Sequence, residues 1–326
     1  MRAVHQVGRR LERTAGLTAP DDVTDVTGGT EGSPRLVRDV NRLFRRRRVG
    51  LSAVLTPPVM WMLVVYIASL LLLVVSSLFQ LDGATQKATS ELTLENLDTA
   101  FTEWDFVQVV LRSLLIAGAV TVLCLVIALP VGFFIAKVMP KWGRRGLIVA
   151  MLLPLWAGYL VKAYAWKAML RPSSPFGVDK SGGFLQATFG WTPGFGYVAV
   201  VLSLTYLWLP YMVLPVYTGL ERLPASLLDA AGDLGARPFR TFRSVILPLM
   251  VPSIAAGSIF TFSLSLGDYI IPAVVTERKV QLIGNLIERT LLAPNQPLAA
   301  AFTLWPLLII VAYLLTMKRV GAFENV

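Results

Sequence analysis

One acid, Asp268, stands in an otherwise long apolar stretch of this 326-residue chain and is followed at once by Tyr269. An ionised carboxylate is costly in hydrocarbon, roughly 2.5–3.5 kcal/mol on insertion scales, so an acid kept there is a functional candidate by default. With Tyr269, and with Trp156, Tyr159 and Trp208 from other apolar stretches, Asp268 would supply the anionic and aromatic surface that an organic cation prefers. A structural role stands beside that one: near the end of its helix, Asp268 can cap it or pair with Lys162 or Arg278. Other chemistries lack material. One histidine, His5, in a polar tail and one cysteine, Cys124, in mid-span provide no zinc set, intrachain disulfide or histidine base. No Gly-x-x-x-x-Gly-Lys-[Ser/Thr] loop occurs, so the chain does not cradle nucleotide phosphates in that way. We therefore expect no catalytic residue, no metal and no cofactor bound by this chain.

The elements that carry these residues are membrane helices. The chain is 55% hydrophobic and only 15% charged, and a helix needs about 20 apolar residues to cross a bilayer. Val59–Phe79, Leu114–Ala136, Tyr197–Leu220, Ser244–Leu266 and Pro297–Met317 qualify. Leu147–Val161 is shorter but continues through Lys162 and Lys167 to Leu170, and lysines near a helix end can snorkel to the headgroups, so it makes a sixth span. The fold class is all-α and polytopic. Prolines interrupt the spans at Pro130, Pro154, Pro210, Pro215, Pro248, Pro252 and Pro306. Such breaks are tolerated where neighbouring helices or a water-filled cavity satisfy the freed backbone groups, and either account fits the Pro210/Pro215 and Pro248/Pro252 pairs.

Charge sets the orientation. Arg45–Arg48 precede the first span and anchor the N-terminus in the cytoplasm; nucleic-acid binding is not implied by the net charge of +10. The loop 80–106 carries Asp82, Glu91, Glu95, Asp98, Glu103 and Asp105 against Lys87, which suits the outside. Lys137, Lys141, Arg144 and Arg145 place the next loop inside, as do Arg222, Arg237, Arg240 and Arg243 for the fourth loop. Lys318-Arg319 close the last span inside, so both termini are cytoplasmic. We expect residues 1–48 to be a disordered basic tail, 49–320 the transmembrane domain and 321–326 a short cytoplasmic tail. The polar, Gly/Pro-rich stretch Ala19–Pro34 cannot bury a core.

The fourth loop, 221–243, has more structure than a tether needs. Pro224 suits a helix start, and Leu227, Leu228, Ala231 and Leu234 recur with helical spacing. Ala230, Ala231, Gly232 and Gly235 are small enough for another subunit to approach closely. Gly235 can end this helix in a left-handed cap, and Pro238 can start a second that runs through Phe239 and Phe242 into the fifth span. Lying on lipid is the other reading of an amphipathic loop; the arginines fit it, the small residues do not.

Asp229-Ala230-Ala231, three residues, Gly235, nine residues, then Val245-Ile246-Leu247-Pro248 closely resembles the EAA loop of binding-protein-dependent ABC importer permeases. Asp229 replaces the usual Glu and Val245 the usual Ile. The resemblance implies that Leu228, Asp229, Ala230, Ala231, Leu234, Gly235, Pro238, Phe239, Leu247 and Pro248 form a coupling loop docked on a cytoplasmic ATPase dimer that binds ATP and Mg. It further implies a second, similar permease subunit, an extracytoplasmic solute-binding protein and a prokaryotic inner-membrane location. Leu153–Trp156 with Lys162–Trp166, Leu266–Pro272, Gln281–Ile287 and Asn295–Ala300 are similar to the spermidine/putrescine branch of that family, whereas Thr276-Glu277-Arg278 stands where many relatives have glycines. Other small solutes (another amine, a phosphonate or a sulfate-like anion) fit the same fold. An ion-coupled secondary transporter would want acids in several spans and an internal repeat, and neither is evident.

Overall fold

The computed structural model describes residues 34–81, 88–173 and 182–319. The chain divides into two units, Met1–Tyr66 and Ile67–Val326. The first is described only as the N-terminal part of helix α1 (Pro34–Ser76). Residues 34–48 of the expected tail lie in this helix, and 1–33 and 320–326 lie outside the described residues. The cause is legible in the residue types. Leu36, Val37, Val40, Leu43 and Phe44 recur with helical spacing behind a proline at the first helical position.

After α1, a short hairpin, β1 (Phe79–Leu81) and β2 (Ala88–Leu92), pairs antiparallel with Phe79 opposite Leu92. It is tied to helix α2 (Glu95–Thr102) by Asn96, whose amide donates to the carbonyls of Ser77 (3.1 Å) and Phe79 (2.9 Å). The long helices follow: α3 (Trp104–Phe133), extended by a π-helical turn Phe134–Val138; α4 (Lys141–Trp156); α5 (Tyr159–Leu170); the short α6 (Phe184–Phe189); and α7 (Tyr197–Arg222). In the loop expected to couple, α8 (Ala225–Asp233) and α9 (Pro238–Thr241) lead through a second π turn, Phe242–Ile246, into α10 (Leu247–Leu266). The short α11 (Ile270–Val275), α12 (Ile283–Leu292) and α13 (Gln296–Arg319) complete the described chain.

Among the described residues five helices are long and apolar enough to span a membrane, or six if the bent pair α4 and α5 counts as one span. That pair is not one rod. It bends by 93° at Ala157-Gly158, where both residues adopt extended ψ values. Pro154 withholds an amide from the carbonyl four residues back, and Gly158 is a poor helix former, so the backbone has little to lose there.

α3, α7 and α10 pack together around Val120, Cys124, Leu204, Met212, Val216 and Met250, all inaccessible to solvent. A second cluster joins α3, α10 and α13 through Val110, Phe262, Leu266 and Phe302, and Trp305 extends it by stacking on Phe101 at 4.5 Å. The outward faces of these helices carry large apolar side chains such as Leu115, Val122, Phe260 and Leu315, as expected where the surrounding solvent is lipid. The π turn Phe242–Ile246 has a local cause: the ring of Pro248 crowds the carbonyl of Ser244, and a wider turn relieves it.

Candidate functional site

The loop 221–243 is a rigid helix-turn-helix whose turn depends on one glycine. Gly235 has φ of +71°, a value that other L-residues adopt only at a cost. Its amide donates to Gly232 O (2.8 Å) and that of Ala236 to Ala231 O (3.0 Å), the paired closing bonds of a Schellman cap. Pro238 begins α9, and α9 passes without interruption into the fifth span. Pro224 stands one position earlier than a first helical residue, as the N-cap of α8.

The apolar stripe of α8 divides into two. Leu228 and Ala231 face the rest of the chain, with Leu228 packed against the main core. Leu227 is half-exposed, while Leu234 and Phe239 are 88% and 74% exposed. Asp229, Ala230, Pro238 and Pro248 are exposed, and Leu247 is half-buried. The loop thus presents bare apolar side chains flanked by Arg237, Arg240 and Arg243, while its base is clamped. Lys137 Nζ donates to Leu223 O (2.9 Å), and Arg144 pairs with Glu221 at 2.9 Å. Pro140 has no amide to offer the end of the preceding helix, and Arg144 compensates by donating to Ala136 O (2.7 Å). The clamping contacts of Lys137, Arg144 and Glu221 escaped the sequence reading because they join residues 77 to 86 positions apart.

At the far end of α10 the chain turns at Gly267 and presents Asp268, only 7% exposed. Asp268 Oδ1 accepts the amides of Ile270 (2.9 Å) and Ile271 (3.0 Å) at the start of α11, and Oδ2 accepts the Tyr159 hydroxyl from α5. Neither Lys162 nor Arg278 forms an ion pair with it: Lys162 Nζ lies 5.8 Å from the centre of the Tyr159 ring, and Arg278 meets Glu288. The close turn requires Gly284 on α12, since a Cβ there would lie 2.8 Å from Asp268 O. Asn285 completes it by donating to Tyr269 O (2.6 Å).

Tyr159, Trp208, Asp268 and Tyr269 line one cavity of about 290 Å³, together with Ser263, Leu264, Gly267 and Ile270. Tyr159 and Trp208 stack with ring centres 6.0 Å apart, and Tyr211 continues the aromatic wall edge-on at 5.8 Å. Trp156 is not among the lining residues. It ends α4 on the other side of the 93° bend and is 89% exposed. The paired prolines do not line the cavity either; Pro210 is buried two residues beyond Trp208. The arrangement is an acceptor within an aromatic box. It can hold a positively charged or hydrogen-bond-donating group, and it contains no nucleophile with a base to activate it.

A family model described as the inner membrane component of binding-protein-dependent transport systems matches residues 48–320. The chain is similar to the inner membrane ABC transporter permease protein YdcU of Escherichia coli (strain K12), with 42% identity over 292 residues, 85% of this chain and 91% of that protein. It is also similar to the spermidine/putrescine transport system permease protein PotB of Haemophilus influenzae, 35% identical over 244 residues, 74% of this chain and 82% of that one. Among solved structures, a chain of a bacterial ABC transporter involved in the import of the acidic polysaccharide alginate superposes with a TM-score of 0.64 at 18% identity, covering 87% of this chain and 99% of that one. At that identity the likeness concerns the fold.

Proposed function

We propose a cargo for a chain that belongs to the family of binding-protein-dependent transport system inner membrane components: a small polyamine such as spermidine or putrescine, passed from an external binding protein into the cytoplasm. Membership makes the chain a multi-pass inner-membrane permease subunit of an ABC transporter and not an enzyme. The observation that carries the cargo is the cavity at Asp268, a buried carboxylate among Tyr159, Trp208 and Tyr269. Ammonium groups are drawn to aromatic faces and to carboxylates together. A carboxylate has about four acceptor positions, so the three hydrogen bonds that Asp268 receives leave room for one more donor. The likeness to the spermidine/putrescine permease supports the same reading. An anionic cargo such as a phosphonate or a sulfate would need cationic groups in the lining, and the lining residues include none.

Power reaches the permease through the loop 221–243. Leu234 and Phe239 supply the apolar anchors for a groove on a cytoplasmic ATPase, and Gly232 and Gly235 let it come close. The clamped base and the unbroken passage from α9 into α10 let movement of that ATPase reach the helix that ends beside Asp268. ATP and Mg bind to the ATPase subunits, a second permease completes the pathway, and residues 49–320 form the transmembrane domain. The likeness over 88 residues to the spermidine/putrescine permease PotC of Escherichia coli is consistent with pairing of two related permeases.

The test is uptake of radiolabelled spermidine and putrescine by cells that lack their own polyamine importers. These cells would express this chain with its neighbouring ATPase, permease and binding-protein genes. Uptake that needs all four components is expected. A purified binding protein that ignores polyamines and captures an anion would overturn the cargo while leaving the permease assignment intact.

A further inference from the structure

The connection from α11 to α12 is shaped against its own residue types. Glu277 and Arg278 have φ values of 53° and 63°, left-handed angles that glycine takes freely and large side chains rarely take. No other non-glycine residue among those described does so. The surrounding backbone holds them there. Buried Thr276 donates from Oγ1 to Pro272 O (2.5 Å) and accepts the Val280 amide (3.2 Å), while the Arg278 amide reaches Ala273 O (3.2 Å). Their side chains reach two different helices: Glu277 meets Lys167 near the end of α5 at 3.2 Å, and Arg278 meets Glu288 on α12 at 3.6 Å.

Glycines would make this turn without strain, but they would supply neither ion pair. Left-handed non-glycine residues that persist because their surroundings over-determine them cluster at switch segments. All four charged side chains are part-exposed, so each pair is screened and parts readily. The Lys167 contact also lies eight residues along α5 from Tyr159, about 12 Å at 1.5 Å per residue. The segment that follows α10 therefore grips α5 twice, through Asp268 on Tyr159 and through Glu277 on Lys167.

We propose that Glu277 and Arg278 form a two-ended charge clasp that ties α5 and α12 together in this conformation and releases them during the transport cycle. The proposal rests on the reading of the chain as one half of an ATP-driven permease pair and is independent of the cargo.

The experiment uses the complete transporter purified with its ATPase and second permease, carrying the pair Lys167→Cys and Glu277→Cys; the native Cys124 is fully buried. Cross-linking by a short bis-thiol reagent is measured without nucleotide and in the ATP–vanadate state. The yield is expected to fall severalfold on trapping, as positions 167 and 277 move apart. Equal yields in the two states would overturn the clasp. A second measurement is basal ATP hydrolysis without binding protein. Lys167→Glu should raise it, and the exchange Lys167→Glu with Glu277→Lys should bring it back. No rise in the single variant, or no return in the exchange, counts against the clasp. Failure of any ATPase to co-purify would instead overturn the powering scheme and the clasp with it, a result distinct from equal cross-linking in an intact complex.

Discussion

Replacing Asp268 by Asn removes a charge and keeps a shape. The Asn carbonyl can still accept the Ile270 and Ile271 amides, now 2.9 and 3.0 Å from Asp268 Oδ1. Its NH2 can donate to the Tyr159 hydroxyl, which then accepts where it had donated. The turn into α11 should therefore survive, and the loss should fall on the cargo. A hydrogen bond to a charged group contributes about 1.5–3 kcal/mol against about 1 for a neutral one. The difference, roughly 0.5–2 kcal/mol, corresponds to about a 2- to 30-fold change. The assay is uptake of labelled spermidine at sub-saturating concentration, alongside the melting temperature of the purified complex. Uptake should fall within that range while melting stays within about 2 °C of the parent, since well under 1 kcal/mol of packing is lost. Asp268→Ala is the comparison: it leaves two amides and a hydroxyl without a partner, at about 1–3 kcal/mol each, and should melt markedly earlier. Parental uptake in the Asn variant, together with early melting of the Ala variant, would refute the reasoning and leave Asp268 a helix cap.

The loop offers two further tests. Leu234→Asp and Phe239→Asp alter side chains that are 88% and 74% exposed. Melting should be unchanged, while ATPase recovered with the permease drops roughly 10-fold or more, the scale of one large apolar anchor. Gly235→Val meets no atom within 4 Å of its new Cβ, so its cost is backbone strain of about 1–2 kcal/mol; ATPase retention should fall, and Gly235→Asn should fall less, because Asn tolerates the left-handed region. Gly284→Val drives a Cβ to 2.8 Å from Asp268 O, and overpacking of about 1–3 kcal/mol should lower both the melting temperature and uptake. Retained uptake there would show that the turn at Asp268 has slack.

What could be read from the residues was local. The spans follow from apolar length, and the Gly235 cap and Pro238 start from punctuation within a few positions. What could not be read depended on pairs far apart in sequence. Tyr159 and Asp268 are 109 residues apart, so nothing near either one shows that the tyrosine donates to the acid. Apolar continuity also hid the 93° bend in the third span, and that bend separates Trp156 from Tyr159 although only two residues lie between them. The alternatives for Asp268 were cargo contact, capping, or pairing with Lys162 or Arg278. The fold satisfies its carboxylate with amides and a phenol, which sets the pairing aside and leaves a cap that also lines a cavity.

The wide turn at Phe242–Ile246 has a consequence for the kind of motion that can pass along the fifth span. A π turn stores one residue beyond the α-helical count. Rewinding it would rotate everything beyond by about 100° and advance it by about 1.5 Å. The helix from Pro238 to Leu266 can therefore behave as a screw as well as a lever. Met250 of that helix is buried in the core it shares with α3 and α7, so a push taken up in that turn would reach those helices as a change of packing and not as a tilt alone.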